Sequence, residues 1–251
     1  MFKLFNKQNN KVAPARKFAS ELDFASSEAY NLLRTNISFA LAGKNREGAK
    51  LLGVSSPCPQ EGKSFTSINL SYSLAKDGHK VLLIDADMRR PSVAGVLEMS
   101  RTPGLSNLLA GGNADEIIHF GTLHENLDVL LSGDIPPNPS ELLGSDVMER
   151  IINTFAEKYD YVVVDLPPVT AVADPLIMSR LLDGIVVVIR HAYTRKRNVR
   201  EAVRQLRFSG VRILGFVYNG YHKGSSRYYK RSKYYRSNYY THRENTDTAQ
   251  K

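Results

Sequence analysis

The chain has 251 residues, 42% hydrophobic and 24% charged, which suits one α/β domain with a sizeable core plus appendages and leaves two independent domains cramped. A single cysteine, Cys58, excludes an intramolecular disulfide, no His or Cys spacing offers a zinc site, and the longest aliphatic run, Ile185 to Ile189, is far too short to span a membrane. The net charge of +9 is unevenly placed, with seven Lys or Arg and no Asp or Glu from Tyr221 to Arg243, a balance suited to nucleic acid, an anionic lipid surface or an acidic partner.

Residues 1–20 are polar and basic with Pro14 and read as a flexible arm; the apolar part of the Met1 segment is too short for a signal peptide, so a soluble, cytoplasmic chain is expected. A helix follows within residues 21–43, with Ala29, Leu32, Leu33, Asn36, Ile37, Ala40 and Leu41 at helical spacing and Ser26 or Ser27 as N-cap. Glu28, Asn31 and Arg34 recur three apart along one side of it, a surface that is either solvated or meets another subunit.

From Lys50 onward short aliphatic runs alternate with helical stretches. The runs are Leu51–Val54, Val81–Ile84, Leu127–Leu131, Tyr161–Val164, Ile185–Ile189 and Ile213–Val217. Without polar alternation they suit strands buried on both faces, so the expected fold is α/β, a doubly wound and mainly parallel sheet. One helix carries Phe65, Ile68, Tyr72 and Ala75 and stops at Asp77-Gly78. Another runs from Ser140 towards Glu157, and the last contains Val199, Ala202, Val203 and Leu206 before Ser209-Gly210.

Directly after the first run, the segment from Ser55 ends in Gly62-Lys63-Ser64 and opens a helix. Backbone N–H groups at such a turn surround phosphates, Lys63 neutralises them and the Ser64 hydroxyl can ligate Mg²⁺. The usual first glycine of the motif falls at Pro57, so the plain pattern fails there. Two carboxylates, Asp85 and Asp87, end the second run and a third, Asp165, ends the fourth, where open α/β sheets bind ligands. They can hold Mg²⁺ through water or accept a proton from an attacking hydroxyl. Asn219 closes the last run, either as a contact for a nucleotide base or as a turn residue; Asp174 and Asp183 read as caps or turns.

Residues 221–251 form a basic tail containing Tyr228, Tyr229, Tyr234, Tyr235, Tyr239 and Tyr240 in three adjacent pairs, with no Leu, Ile, Val, Met or Phe. Such a segment cannot offset its own ordering entropy and is expected to be disordered, serving to be acted on or to bind.

The altered phosphate loop, the Asp85-x-Asp87-x-Arg89 motif and the later Asp165 together resemble the MinD/ParA-like class of P-loop NTPases. The partition and nitrogenase relatives carry a signature lysine where this chain has Cys58. Pro59, the stretch from Leu131 to Leu143 and the tyrosine-rich tail are instead similar to the bacterial tyrosine kinases of exopolysaccharide and capsule assembly. The resemblance runs from about Ala25 to the tail and implies a kinase domain over residues 21–220 that binds ATP and Mg²⁺.

It further implies that Pro59, Gln60, Glu61, Gly62, Lys63, Ser64, Phe65 and Asn219 bind the nucleotide, and that Ser64, Asp87 and Asp165 hold the metal. Lys63, Asp85 and Asp87 are the implied catalytic groups, with Asp85 as the base and Asp87 able to exchange roles with it. The six tail tyrosines would be phosphorylated on a neighbouring subunit. The family's Glu-x-x-Arg-x-x-Arg ring motif is matched at Glu28 and Arg34, with Asn31 at the middle position, and Gln60 replaces a usual glycine. Implied partners are a membrane polysaccharide co-polymerase adaptor on a separate chain, a homo-oligomer and a phosphotyrosine phosphatase, with no nucleic acid. The implied location is the inner face of the cell membrane, reached through the adaptor. The rivals are a regulatory ATPase without kinase activity and a tail that binds RNA or DNA by stacking bases on tyrosine.

Overall fold

The computed structural model describes residues 18–42 and 48–220. Residues 1–17 of the expected arm, and the tail with all six of its tyrosines, lie outside the described residues, whereas the end of the arm is ordered: Ala19–Glu21 form a 3-10 turn, with Ala19 buried and its N–H donated to Asn69 Oδ1 at 2.8 Å.

Among the described residues six strands form one sheet: β1 (Lys50–Ser55), β2 (Val81–Asp85), β3 (Leu127–Leu130), β4 (Tyr161–Asp165), β5 (Gly184–Arg190) and β6 (Ile213–Asn219). Their order is β3-β2-β4-β1-β5-β6, and every pairing is parallel. The aliphatic runs are unbroken because both faces are covered. Leu82, Ile84, Val162 and Val164 point into one core, while Val81, Leu83, Tyr161 and Val163 point into the other. Period-two side-chain alternation sends consecutive residues of each strand to opposite layers.

The helices in chain order are α1 (Phe24–Leu41), α2 (Lys63–Lys76), α3 (Val93–Leu97), α4 (Leu105–Leu109), α5 (Ala114–Ile117), α6 (Pro139–Leu143), α7 (Asp146–Ala156), α8 (Asp174–Met178) and α9 (Lys196–Phe208). α1 begins at Asp23, whose side chain accepts the N–H of Ser26 at 2.8 Å, so neither Ser26 nor Ser27 is the cap. A carboxylate one residue before the helix serves better at this end, because it also complements the N-terminal dipole. Of the residues expected to bury, Ile37 and Leu41 do, whereas Leu32 is 62% exposed and Phe39 on the same side is 76% exposed.

The helix expected from Ser140 to Glu157 is two helices, α6 and α7. Ser145 breaks the run by taking extended backbone and capping α7, accepting the N–H of Met148. α7 then buries Met148, Ile152 and Phe155 against the sheet, each burial being worth roughly 1.5–3 kcal/mol. Among the described residues no helix is long and apolar enough to cross a membrane.

Candidate active site

β1, β4 and β2 are adjacent, and their carboxyl ends carry the phosphate loop, Asp165 and Asp85 respectively. Asp85 and Asp165 are register partners, so two carboxylates stand side by side at the carboxyl end of the sheet. Asp85, Asp87 and Asp165 are all buried, at 0%, 3% and 0% exposure, and Lys63 is 8% exposed.

Lys63 opens α2 and turns its ammonium into this group. Its Nζ lies 2.9 Å from Asp87 Oδ2, 3.3 Å from Asp165 Oδ2 and 3.2 Å from Ser64 Oγ. Ser64 donates its hydroxyl to Asp165 Oδ2, and Ser67, one turn on, donates to Asp165 Oδ1 at 3.0 Å. Ser92 Oγ lies 2.6 Å from Ser64 Oγ. Asp85 accepts backbone N–H groups from Asp87 and Val93, each at 3.2 Å, and Asp87 accepts that of Arg90 at 3.0 Å.

Three buried carboxylates share one buried cation. Burial alone would lower the Lys63 pKa, but Asp165 and Asp87 outweigh it and hold the ammonium charged, above its ordinary range. Burial, with Asp165 beside it, pushes the Asp85 carboxyl up to about 7, an effect that Lys63 opposes. Burial also raises the Asp165 pKa, against the pull of Lys63, Ser64 and Ser67. Proton uptake at Asp85 and Asp165 is therefore favoured in this group.

The loop is braced from outside. Asn219 donates its amide to the Glu61 carbonyl at 2.9 Å, Arg190 donates to the Gln60 carbonyl at 3.0 Å, and Thr170 donates to the Pro57 carbonyl at 2.7 Å. Gly62 has φ 93° and a Cβ there would stand 2.0 Å from Asn219 Nδ2, so two reasons require glycine. Gln60 also adopts a left-handed φ, 63°, which accounts for the preference for glycine at its position. Pro59 and Gln60 are exposed at the loop tip, Glu61 is buried and Phe65 is half-buried in the first turn of α2. The Asn219 amide is therefore committed to the loop backbone through one of its donors.

Arg89, the last residue of the acidic motif, pairs two-pronged with Asp174: Nε to Oδ2 at 2.9 Å and Nη2 to Oδ1 at 3.2 Å. Ser140 joins both, donating to Asp174 Oδ1 and accepting from Arg89. Asp174, which reads from sequence as a cap or turn, is fully buried and is the partner that fixes this loop. Ser67 and Ser92 also escape the sequence pattern. Ser67 has a signal, standing three residues after Ser64 on the same helix face; Asp174 has none beyond its place in the loop after β4.

Glu28 and Arg34 are engaged within the chain. Asn31 donates to Glu28 at 2.9 Å, and Arg34 reaches the end of α2, bonding the Ser73 carbonyl at 2.9 Å and pairing with Asp77 at 3.0 Å.

The donor set suits a small hard cation. Ser64, Asp87 and Asp165 present oxygen only. Among the described residues no group of three His, Cys, Asp or Glu has the geometry of a metal cage.

Comparisons with known proteins follow the same lines. Residues 60–206 match the family model described as an AAA domain. Over 195 residues the chain is 40% identical to tyrosine-protein kinase YwqD of Bacillus subtilis, covering 78% of this chain and 81% of that protein. It is 38% identical to the putative tyrosine-protein kinase EpsB of Ralstonia solanacearum over 86% of this chain, which corresponds to only 28% of EpsB. The solved kinase domain of Escherichia coli tyrosine kinase ETK superposes with a TM-score of 0.74 at 34% identity, covering 80% of this chain and 77% of that one. The Pyrococcus horikoshii septum site-determining protein MinD, at 22% identity and a TM-score of 0.59 over 70% of this chain and 72% of that one, shares the fold alone.

Proposed function

Because the chain belongs to the bacterial tyrosine-protein kinases built on the nucleotide-binding P-loop fold, we propose that it uses ATP and Mg²⁺ to phosphorylate the tail tyrosines of a neighbouring copy of itself. The observation that carries the proposal is the convergence of Lys63, Asp85, Asp87 and Asp165 at the carboxyl ends of adjacent strands, beside a loop whose glycine opens a helix.

The loop N–H groups and the α2 N-terminus cradle the nucleotide phosphates, and Lys63 shifts from its carboxylates to the charge that develops during transfer. Ser64, Asp87 and Asp165 hold Mg²⁺, which when bound neutralises charge on the transferring phosphoryl group. A tyrosine hydroxyl, with an unperturbed pKa of about 10, is a poor nucleophile near neutrality unless its proton is taken. Asp85 accepts that proton, held in place by the N–H groups of Asp87 and Val93. The proton moves to Asp85 as the phenolic oxygen bonds to phosphorus and the bond to the leaving ADP oxygen breaks.

The tail tyrosines proposed as acceptors are Tyr228, Tyr229, Tyr234, Tyr235, Tyr239 and Tyr240. Names among the relatives point to exopolysaccharide and capsule synthesis as the process controlled. The partner proposed to activate it is a membrane polysaccharide co-polymerase adaptor, which would place the kinase at the inner membrane face. Glu28 and Arg34 lie on α1 and are the residues assigned to subunit contact, with a phosphatase reversing the modification.

Incubating the purified chain with Mg-ATP and mapping phosphate by mass spectrometry tests this reading. Phosphotyrosine at positions 228 to 240 is expected. ATP hydrolysis without phosphotyrosine would leave the regulatory-ATPase reading standing instead.

A further inference from the structure

The exposed side of α9 carries a row of arginines that the kinase reaction does not use. We propose that this row is a phosphotyrosine-binding surface and that its occupant is the chain's own tail, residues 221–251, after phosphorylation. The inference rests on the proposed tail phosphorylation and adds a receiver for its product.

α9 buries Ala202 and Leu206 in the core. On its other side Arg197, Arg200, Arg204 and Arg207 are exposed. At ~100° per residue these four positions fall within an arc of about 80°, nearly opposite the buried pair. Arg204 is paired with Glu201 at 2.8 Å, whereas no carboxylate among the described residues pairs with Arg197, Arg200 or Arg207.

Like charges three and four apart destabilise a helix, and the first turn carries Lys196 and Arg197 with no acidic residue, against the helix dipole. Glu201 relieves the repulsion at Arg204 and Arg207 suits the C-terminal dipole, so the cost falls on the N-terminal half around Arg197 and Arg200, where a bound anion would offset it. Arginine, rather than lysine, recognises phosphate through paired N–H donors, and arginine clusters are a recurrent solution to phosphopeptide recognition.

The tail is placed to reach it. β6 ends at Asn219, which pairs with Arg190 at the end of β5, and α9 begins six residues beyond Arg190. The tail therefore leaves from the end of the sheet where α9 starts. The eight Cα-to-Cα steps from Gly220 to Tyr228 span at most about 29 Å, and α9 is about 20 Å long, so the tyrosine pairs can lie along the helix.

Charge decides when they do so. Before modification the seven basic residues between Tyr221 and Arg243 are repelled by α9. Six phosphotyrosines add roughly −9 to −12 and reverse the sign of that segment. Tethering then supplies an effective concentration on the order of millimolar, which favours the tail over a free anion. Phosphorylation thus removes the spent tail from the neighbour's active site and stores it on its own domain.

The test uses a fluorescent synthetic peptide of residues 226–241 with phosphate on all six tyrosines, titrated into the full-length, unphosphorylated protein. Binding that the R197A/R200A/R207A variant weakens at least tenfold, with unchanged thermal unfolding, is the expected result. The unphosphorylated peptide should show no dependence on these arginines. Wild-type protein already carrying phosphate on its own tail should bind the peptide several-fold more weakly than unmodified protein.

Equal phosphopeptide binding by variant and wild type would overturn the proposal. So would loss of binding only in Lys63→Met, which would place the peptide in the active site. Arginine-dependent binding to phosphatidylglycerol vesicles, without arginine-dependent phosphopeptide binding, would assign the helix to a lipid surface and equally overturn it. Because the peptide is synthetic, a chain unable to phosphorylate its own tail would show that failure in the Mg-ATP mapping and leave the docking result readable.

Discussion

Arg89 and Asp174 form a two-pronged ion pair between the loop after β2 and the start of α8, with distances of 2.9 and 3.2 Å, and Ser140 bonds to both. Three segments far apart in sequence are thereby locked beside Asp85 and Asp87. The fully buried Asp174 carboxylate has this arginine as its cation.

Removing one partner should therefore cost more than a surface pair would. Arg89→Ala leaves Asp174 buried and uncompensated; because the guanidinium is itself part-exposed, the cost falls below the roughly 3–5 kcal/mol typical of broken buried pairs, at about 2–3 kcal/mol. Chemical denaturation measures this. A loss below about 0.5 kcal/mol would show that the pair does not hold the loop. Arg89→Lys should recover only part of the loss, since one prong is missing.

Asn219→Ala removes the bond to the Glu61 carbonyl and frees the phosphate loop from β6. The expected result is an ATP KM raised several-fold with kcat nearly unchanged, at a stability cost of about 1 kcal/mol. An equal fall in kcat at unchanged KM would instead assign Asn219 to transition-state stabilisation.

Gln60 holds φ 63° at the loop tip. A left-handed conformation costs a side-chain-bearing residue about 1–2 kcal/mol, and glycine's added chain entropy costs roughly 0.5–1 kcal/mol. Gln60→Gly should therefore stabilise the protein by up to about 1 kcal/mol in denaturant unfolding. A destabilised variant would mean that the Gln60 side chain contributes contacts that outweigh its backbone strain.

Acid–base behaviour of the nucleotide-free, Mg²⁺-free protein follows from Asp85. Burial raises its pKa from an ordinary 3.8 to about 7. The folded state binds this proton more tightly than the unfolded state. Its stabilising contribution is thus full below about pH 4 and is lost as pH rises through 7. Asp85→Asn removes this part of the dependence and leaves that of Asp165. The variant should melt on the order of 5 °C above wild type at pH 8, with the gap closing towards pH 4. A gap of the same size at both pH values would mean that Asp85 ionisation is not its cause.

The sheet was legible because aliphatic runs buried on both faces leave a plain pattern, and the six strands contain all the expected residues but Leu131, which follows β3. The places of Lys63 and Ser64 at the opening of α2, and of Asp85, Asp87 and Asp165 at or just past strand ends, were legible because local sequence fixes them. The Asp174 partnership was not, because it depends on three loops meeting in space. The break between α6 and α7 was hidden because Gly144-Ser145 lies inside an otherwise continuous helical pattern, and the α1 cap because Asp23 precedes two equally good serine candidates. Leu32 and Phe39 fit a helical period yet face outward, since periodicity shows that a face is apolar but not what covers it.

The central claim is that one copy's active site phosphorylates another copy's tail. It is tested most directly by mixing a Lys63→Met chain that keeps all its tyrosines with a catalytically intact chain whose six tail tyrosines are replaced by Phe, adding Mg-ATP and mapping phosphate by mass spectrometry. Transfer between copies predicts phosphotyrosine between positions 228 and 240 on the Lys63→Met chain in the mixture, and none on that chain alone. An unmodified Lys63→Met tail in the mixture, under conditions in which wild-type chains phosphorylate themselves, would contradict it.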